Sequence, residues 1–216
     1  MVDKLSEFYK LLNNEEDREY IELFVSYSIA LISAKLKPSI TLNLVKNDNK
    51  RTYDLWKLYG ENYIKSLGLK YIELRESERS LIVLIYDEEL LEKAISNPEN
   101  LKFLMSIGYK YDFSLKQCVE KLKERYALYA CPHELGVFLG YPIDDVRDFM
   151  ECTEKKCLAC GYWKVYNSIS NAETIFNLYD EVKEHTLDNI LIGKRHKILC
   201  GILKSKFENK QCIVFG

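Results

Sequence analysis

A chain of 216 residues can bury one sizeable core, and its 47% hydrophobic and 30% charged residues are ordinary for a folded globular protein. Its 33 acidic and 31 basic side chains leave a net charge of −2, without the concentrated positive surface that a nucleic-acid binder needs. Four prolines and nine glycines give little material for a linker, so a single domain is expected.

Residues Met1 to Lys10 carry acidic side chains and no apolar run, and read as neither a secretory signal nor a transit peptide. The longest apolar stretch, Tyr20 to Leu36, is interrupted by Glu22, Ser26, Ser28 and Ser33, which makes it a buried helix rather than a membrane span. The expected compartment is the cytoplasm. Apolar residues recur at helical spacing over Leu5 to Leu12 and again over Asp17 to Lys35, where Ile21, Phe24, Val25, Leu31 and Ile32 share a face. Glu15, Glu16 and Asp17 stand where the dipole of the second helix favours anions. Pro38 ends that helix, Ile40 to Val45 has the composition of a strand, and Asn47 to Lys50 is a polar turn.

Helical spacing returns over Tyr53 to Leu67, and Gly68 stops it. Leu69 to Arg75 and Ser80 to Tyr86 form a hairpin around a polar turn. Its second strand is apolar on both faces, as a central strand covered from both sides would be. Three helices follow: Glu88 to Ile95, Asn97-Pro98 toward Ile107, and one capped by Ser114 with Leu115, Val119, Leu122 and Tyr126 on one face.

The chemically pointed residues lie between Cys131 and Tyr166. Pro132 and Pro142 stand where short helices would begin, with Cys131 at the N-cap of the first and Asp144 and Asp145 in the first turn of the second. Gly161 to Tyr166 has the alternation of a strand, and Ser170 to Glu184 that of an amphipathic helix. The run CPHELGVFLGYPIDDVRDF, then CLACGYWKVY, then AETIFNLYDEVK resembles an uncharacterised bacterial family found mainly in anaerobes and classed as a domain of unknown function. The resemblance implies a bacterial cytosolic protein and supplies no activity. It also implies a domain over residues 1–186, with 187–216 as a C-terminal extension of uncertain packing.

Three chemistries remain open. Cys157 and Cys160 form a C-x-x-C, whose spacing lets two thiolates grip one ion. Cys131 and His133 would complete a tetrahedral set for zinc or an iron–sulfur centre, with Cys152 as a substitute ligand. Alternatively, Cys131 is a reactive thiol with His133 as base and Glu134 as its orienter, or Cys157 and Cys160 cycle as a dithiol. In the third reading Glu134 closes a capping box and the cysteines are packing residues. Tyr141, Tyr162, Trp163 and Lys164 then line a surface for a planar cofactor, a small molecule or a protein.

Seven cysteines without an export signal are not a disulfide framework. Sixteen tyrosines suit pockets for planar ligands and half-buried positions equally. Lys194, Arg195, His196 and Lys197 make a short basic cluster, read as a solvated turn with phosphate binding as the alternative. The expected fold is α+β: a small, mostly antiparallel sheet of 40–45, the hairpin and 161–166, packed with several helices. The expected function is that of a binding or adaptor protein working through 131–166, with metal or thiol chemistry as the alternative. No nucleic acid or membrane partner is expected.

Overall fold

The computed structural model describes residues 2–46, 51–151 and 154–215, so the turn at Asn47–Lys50 and Cys152 lie outside the described residues. Helices α1 (Val2–Asn14), α2 (Asp17–Ser28) and α3 (Ala30–Ser33) lead into strand β1 (Ser39–Val45). Next come α4 (Thr52–Leu55), a π-helical turn at Trp56–Gly60 and α5 (Glu61–Ser66), then strands β2 (Lys70–Glu76) and β3 (Ser80–Tyr86). Helices α6 (Glu88–Ser96), α7 (Pro98–Ser106), α8 (Leu115–Leu128), α9 (Leu135–Phe138) and α10 (Ile143–Met150) follow. The chain closes with the short strands β4 (Ala159–Cys160) and β5 (Lys164–Val165), then α11 (Ile169–Leu191), α12 (His196–Phe207) and α13 (Gln211–Phe215).

The middle helices start where their capping side chains stand. Asp87 accepts from the Leu90 N–H at 3.1 Å, and Asn97 accepts from Glu99 and Asn100 with Pro98 in the first turn. Ser114 and Gln117 form a capping box at α8. Each side chain meets N–H groups that the first helical turn leaves without a partner.

The main sheet is antiparallel in the order β1-β3-β2, with Ser39 opposite Tyr86 at one end and an irregularity between Glu73 and Arg75. β3 is central and apolar on both faces, as its composition predicts. Leu81, Val83 and Ile85 join a cluster with Ile21, Val25, Ile32, Trp56 and Ile64, while Leu84 joins one with Leu91, Leu104, Leu122, Val137 and Phe138. The sheet is therefore sandwiched between two helical layers. A third cluster is built from α1, α2, α3, α11 and α12 and takes in Trp163 and Val165.

Three expectations are corrected. The stretch 17–35 is not one helix: it breaks at Ile29, where Ser26 and Ser28 donate back to the carbonyls of Glu22 and Phe24. The helix over 53–67 contains the π turn. There Gly60 leaves room for the Trp56 ring, since a Cβ on it would stand 2.6 Å from that ring. Residues 161–166 are not a strand of the main sheet. Only Lys164 and Val165 pair, with Cys160 and Ala159, in a separate two-stranded hairpin.

From Leu187 onward the chain supplies Leu187, Ile190, Leu199, Leu203 and Phe207 to the third cluster, alongside Phe8 and Leu12. No helix among the described residues is long and apolar enough to cross a membrane. Because Phe207 is fully buried at the end of α12, Phe207→Ala should cost roughly 3–5 kcal/mol in urea unfolding. A loss below about 1 kcal/mol would show that the C-terminal helix contributes little to the core.

Candidate functional site

Two buried carboxylates fix the 131–166 region. Glu134 is fully buried and forms a bidentate pair with Arg125 of α8, while Tyr109 donates to the same carboxylate at 3.4 Å. A paired guanidinium is what makes such a charge tolerable inside a protein. Burial and the neighbouring Glu134 together push the Tyr109 phenol pKa upward, so it stays a donor. Glu134 is therefore an anchor and does not close a capping box. α9 begins at Leu135, so Cys131 stands three residues before the cap position and not at it.

Asp145, 4% exposed on α10, is the second anchor. Its Oδ2 accepts from Trp163 Nε1 at 2.8 Å. Its Oδ1 accepts from the backbone N–H groups of Tyr166 and Asn167 and from Asn167 Nδ2, at 2.9 to 3.0 Å. Asn167 Nδ2 also reaches Asp148. These bonds take the N–H groups that would have continued a β-ladder, which is why GYWKVY is a hairpin tip rather than a long strand. Gly161 completes the tip: a Cβ on it would stand 2.4 Å from the Phe176 ring.

Between α9, α10 and this hairpin lies a cavity of about 200 Å³ with an almost wholly apolar lining. Leu135, Gly136, Leu139 and Val146 line it with the rings of Tyr141 and Trp163. Cys131, His133, Phe149 and Lys164 line it as well. The exposed Phe149 ring lies 4.8 Å from the His133 ring and 5.2 Å from Lys164 Nζ. Lys164 has no carboxylate partner among the described residues.

The structure thus brings together Cys131, His133, Tyr141, Trp163 and Lys164 and leaves the other expected residues apart. Tyr162 packs edge-on to Tyr179 and donates to Asp180 at 2.9 Å. Cys157 and Cys160 are exposed on the hairpin, and the Cys157 thiol donates to Ala159 O at 3.2 Å. Among the described residues no three His, Cys, Asp or Glu side chains gather to hold a metal, so Cys131, His133, Cys157 and Cys160 do not converge; Cys152 lies outside the described residues.

Sequence reasoning missed Asp145 as an anchor and Phe149 as a rim residue. Their i, i+4 spacing would have placed them on one helical face. It also missed Lys37. That side chain is 5% exposed in the loop before β1, and its ammonium stands 4.8 Å from the centre of the Tyr141 ring. Tyr141 and Trp163, with ring centres 5.5 Å apart, form a wall shared with a second hollow lined by Lys93, Asn97 and Asn171. Burial holds the Tyr141 phenol at about 12 and lowers Lys37 to about 7, with Lys183 nearby adding repulsion.

A model of the family described as "Protein of unknown function (DUF3793)" matches residues 25–200, and the chain belongs to that family. A curated relative, 1-deoxy-D-xylulose 5-phosphate reductoisomerase from Pseudothermotoga lettingae, is 29% identical over 124 residues, which are 56% of this chain. The match covers 34% of that enzyme, so the chain spans about a third of its length. No solved structure matches significantly.

Lys37 gives a pH prediction. In the unfolded chain it keeps its proton up to about 10.5 and in the folded one only to about 7. Between those values unfolding takes up a proton, so this group makes stability rise with pH across that window. Below 7 both states carry the charge and its full burial cost stands. Lys37→Met should therefore stabilise the protein by on the order of 3 kcal/mol at pH 6, and by progressively less toward pH 10, in urea unfolding. A pH-independent gain would contradict the burial of a lone amine.

Proposed function

We propose that this protein binds a small, flat, negatively charged molecule in the cavity between α9, α10 and the β4–β5 hairpin. The observation that carries the reading is the cavity itself. Aromatic and aliphatic walls enclose about 200 Å³, and the cationic Lys164 and the imidazole of His133 sit at the Phe149 rim. Cavities of this kind take an apolar body by burial and orient it with a few polar groups. The volume suits one or two fused rings, smaller than the usual drug-sized ligand. The ring faces of Tyr141 and Trp163 favour a planar body, and an unpaired ammonium favours a carboxylate or another single anionic group.

The overlap with the reductoisomerase does not carry that enzyme's activity here. The chain has no G-x-G-x-x-G dinucleotide motif, and the cavity is small for an extended cofactor. A thiol reaction is the second reading. It is favoured by one observation, that Cys131 and His133 line the same cavity while the C-x-x-C does not. Its test is the pH profile of Cys131 alkylation by iodoacetamide. A profile moved by more than one pH unit in His133→Ala supports the pairing, and an unmoved one removes it.

The binding reading is tested with Trp163 as the reporter. Trp56 is fully buried and its Nε1–H has no acceptor among the described residues, so Trp56→Phe removes the competing signal without breaking a hydrogen bond, and the cost of the smaller ring is read from the unfolding midpoint of that background. In that background a panel of aromatic carboxylates such as benzoate and indole-3-carboxylate should shift Trp163 emission saturably. Lys164→Glu should weaken the best of them at least tenfold without changing the unfolding midpoint. Emission that no member of the panel moves, or affinity indifferent to Lys164, would overturn the proposal.

A further inference from the structure

An open groove of about 850 Å³ runs between α2, the π turn with α5, and the start of α12. It shares no lining residue with the 131–166 cavity. Gly193, with φ +86, lets the chain turn sharply after α11, and Lys194 N–H closes that turn on Asn189 O. Lys194, Arg195 and Lys197, which follow the turn, thereby line one wall of the groove.

The charge balance of the groove is uneven. Arg18 Nε donates to Glu22 at 2.9 Å, and Arg195 Nε donates to Glu19 at 2.6 Å with Arg195 Nη1 on Ile190 O. Both guanidinium groups are thus matched by carboxylates. Lys194 and Lys197 are exposed, line the groove and have no carboxylate partner among the described residues. Arg195 also meets a second carboxylate, Glu15, at 3.6 Å, so the four cations of the groove face three carboxylates among the described residues, and Lys194 and Lys197 are the two left to meet a ligand.

Its other walls are apolar and aromatic. Leu58 is 56% exposed and Ile198 64% exposed, and they line the same groove with the half-buried ring of Tyr59. The π turn widens the helix where it presents Leu58 and Tyr59, and such turns concentrate at functional positions. Tyr63 beneath them is fixed by a 2.6 Å hydrogen bond with Ser26, and the exposed Asn62 adds an amide that can both donate and accept.

We infer that this groove binds a phosphorylated small molecule with a flat body, of the nucleotide class, its phosphates on Lys194 and Lys197 and its ring system against Leu58, Tyr59 and Ile198. Lysines serve phosphate as movable point charges, so no fixed bidentate fork is required. The volume accommodates a base, a sugar and phosphates together. A nucleic-acid strand is disfavoured because the two arginines of the groove are already paired, which leaves only two lysines for phosphates on a chain of net charge −2.

The test is an amide NMR titration of the full chain with AMP, ATP and inorganic pyrophosphate at 50 and 200 mM salt. A Lys194→Glu, Lys197→Glu double variant is compared with a Lys10→Glu, Lys123→Glu control. AMP or ATP should move the amides of residues 58–66 and 193–198 saturably, and the double variant should weaken binding at least tenfold while the control does not. Leu58→Ser should weaken AMP or ATP and leave pyrophosphate unchanged. No saturable shift at millimolar probe overturns the inference, as does binding indifferent to the two lysines. Pyrophosphate binding as tightly as AMP would show an adventitious ion only. A short oligonucleotide binding tenfold tighter than AMP would replace the small molecule with a nucleic acid.

Discussion

The hydrogen bonds to the buried carboxylate of Asp145 are the constraint on which the 131–166 region depends. One side chain on α10 receives an indole N–H, two backbone N–H groups and a carboxamide from the residues around the hairpin. Hydrogen bonds to a charged group contribute about 1.5–3 kcal/mol each, and a buried carboxylate stripped of them costs more than their sum suggests. The hairpin has only two ladder pairs of its own, too few to hold a conformation in water. Its position is set from outside, by α10 through Asp145 and by α11, on whose Phe176, Tyr179 and Asp180 Tyr162 and Trp163 pack.

The opposite wall is hung in the same way. Glu134 ties the start of α9 to Arg125 on α8, which packs against β2 of the main sheet. The cavity thus lies between two carboxylate anchors, one reaching the sheet through α8 and the other the hairpin. Neither oxygen pair is left over for a ligand. What the cavity exposes instead is its apolar walls and, at the rim, Lys164 and His133, which have no carboxylate partner among the described residues.

Much of the architecture was legible in the residues. The central strand showed itself by being apolar on both faces, the helix after Ser114 by its cap and the one after Asn97 by its Asn-Pro opening, because these are local properties. Residues 161–166 misled because alternation is also local. Their real partner is Asp145, 18 to 22 positions away, and periodicity carries no trace of such a bond. The break at Ile29 was hidden because the apolar spacing runs through it unbroken. The site was legible as a region rather than as a set. Cys131, His133, Tyr141, Trp163 and Lys164 converge, whereas Cys157 and Cys160, conspicuous by spacing, end at the exposed hairpin. Lys37 offered no signal at all, since a lysine in a loop reads as solvated until the fold closes over it.

The packing of α1 against α11 and α12 sets an order of events during synthesis. Phe8 and Leu12 share a cluster with Ile175, Leu187, Leu203 and Phe207, and Lys4 pairs with Glu184 and Asp188. At about 5–20 residues per second, roughly 10–40 s separate the emergence of one half of this cluster from the other. Throughout that interval an amphipathic helix with an open apolar stripe must wait at the ribosome. The sheet and its two helical layers use none of those residues and can close first. The third cluster is therefore the last that can be completed as the chain is made, and until then the apolar stripe of α1 lacks its native partner.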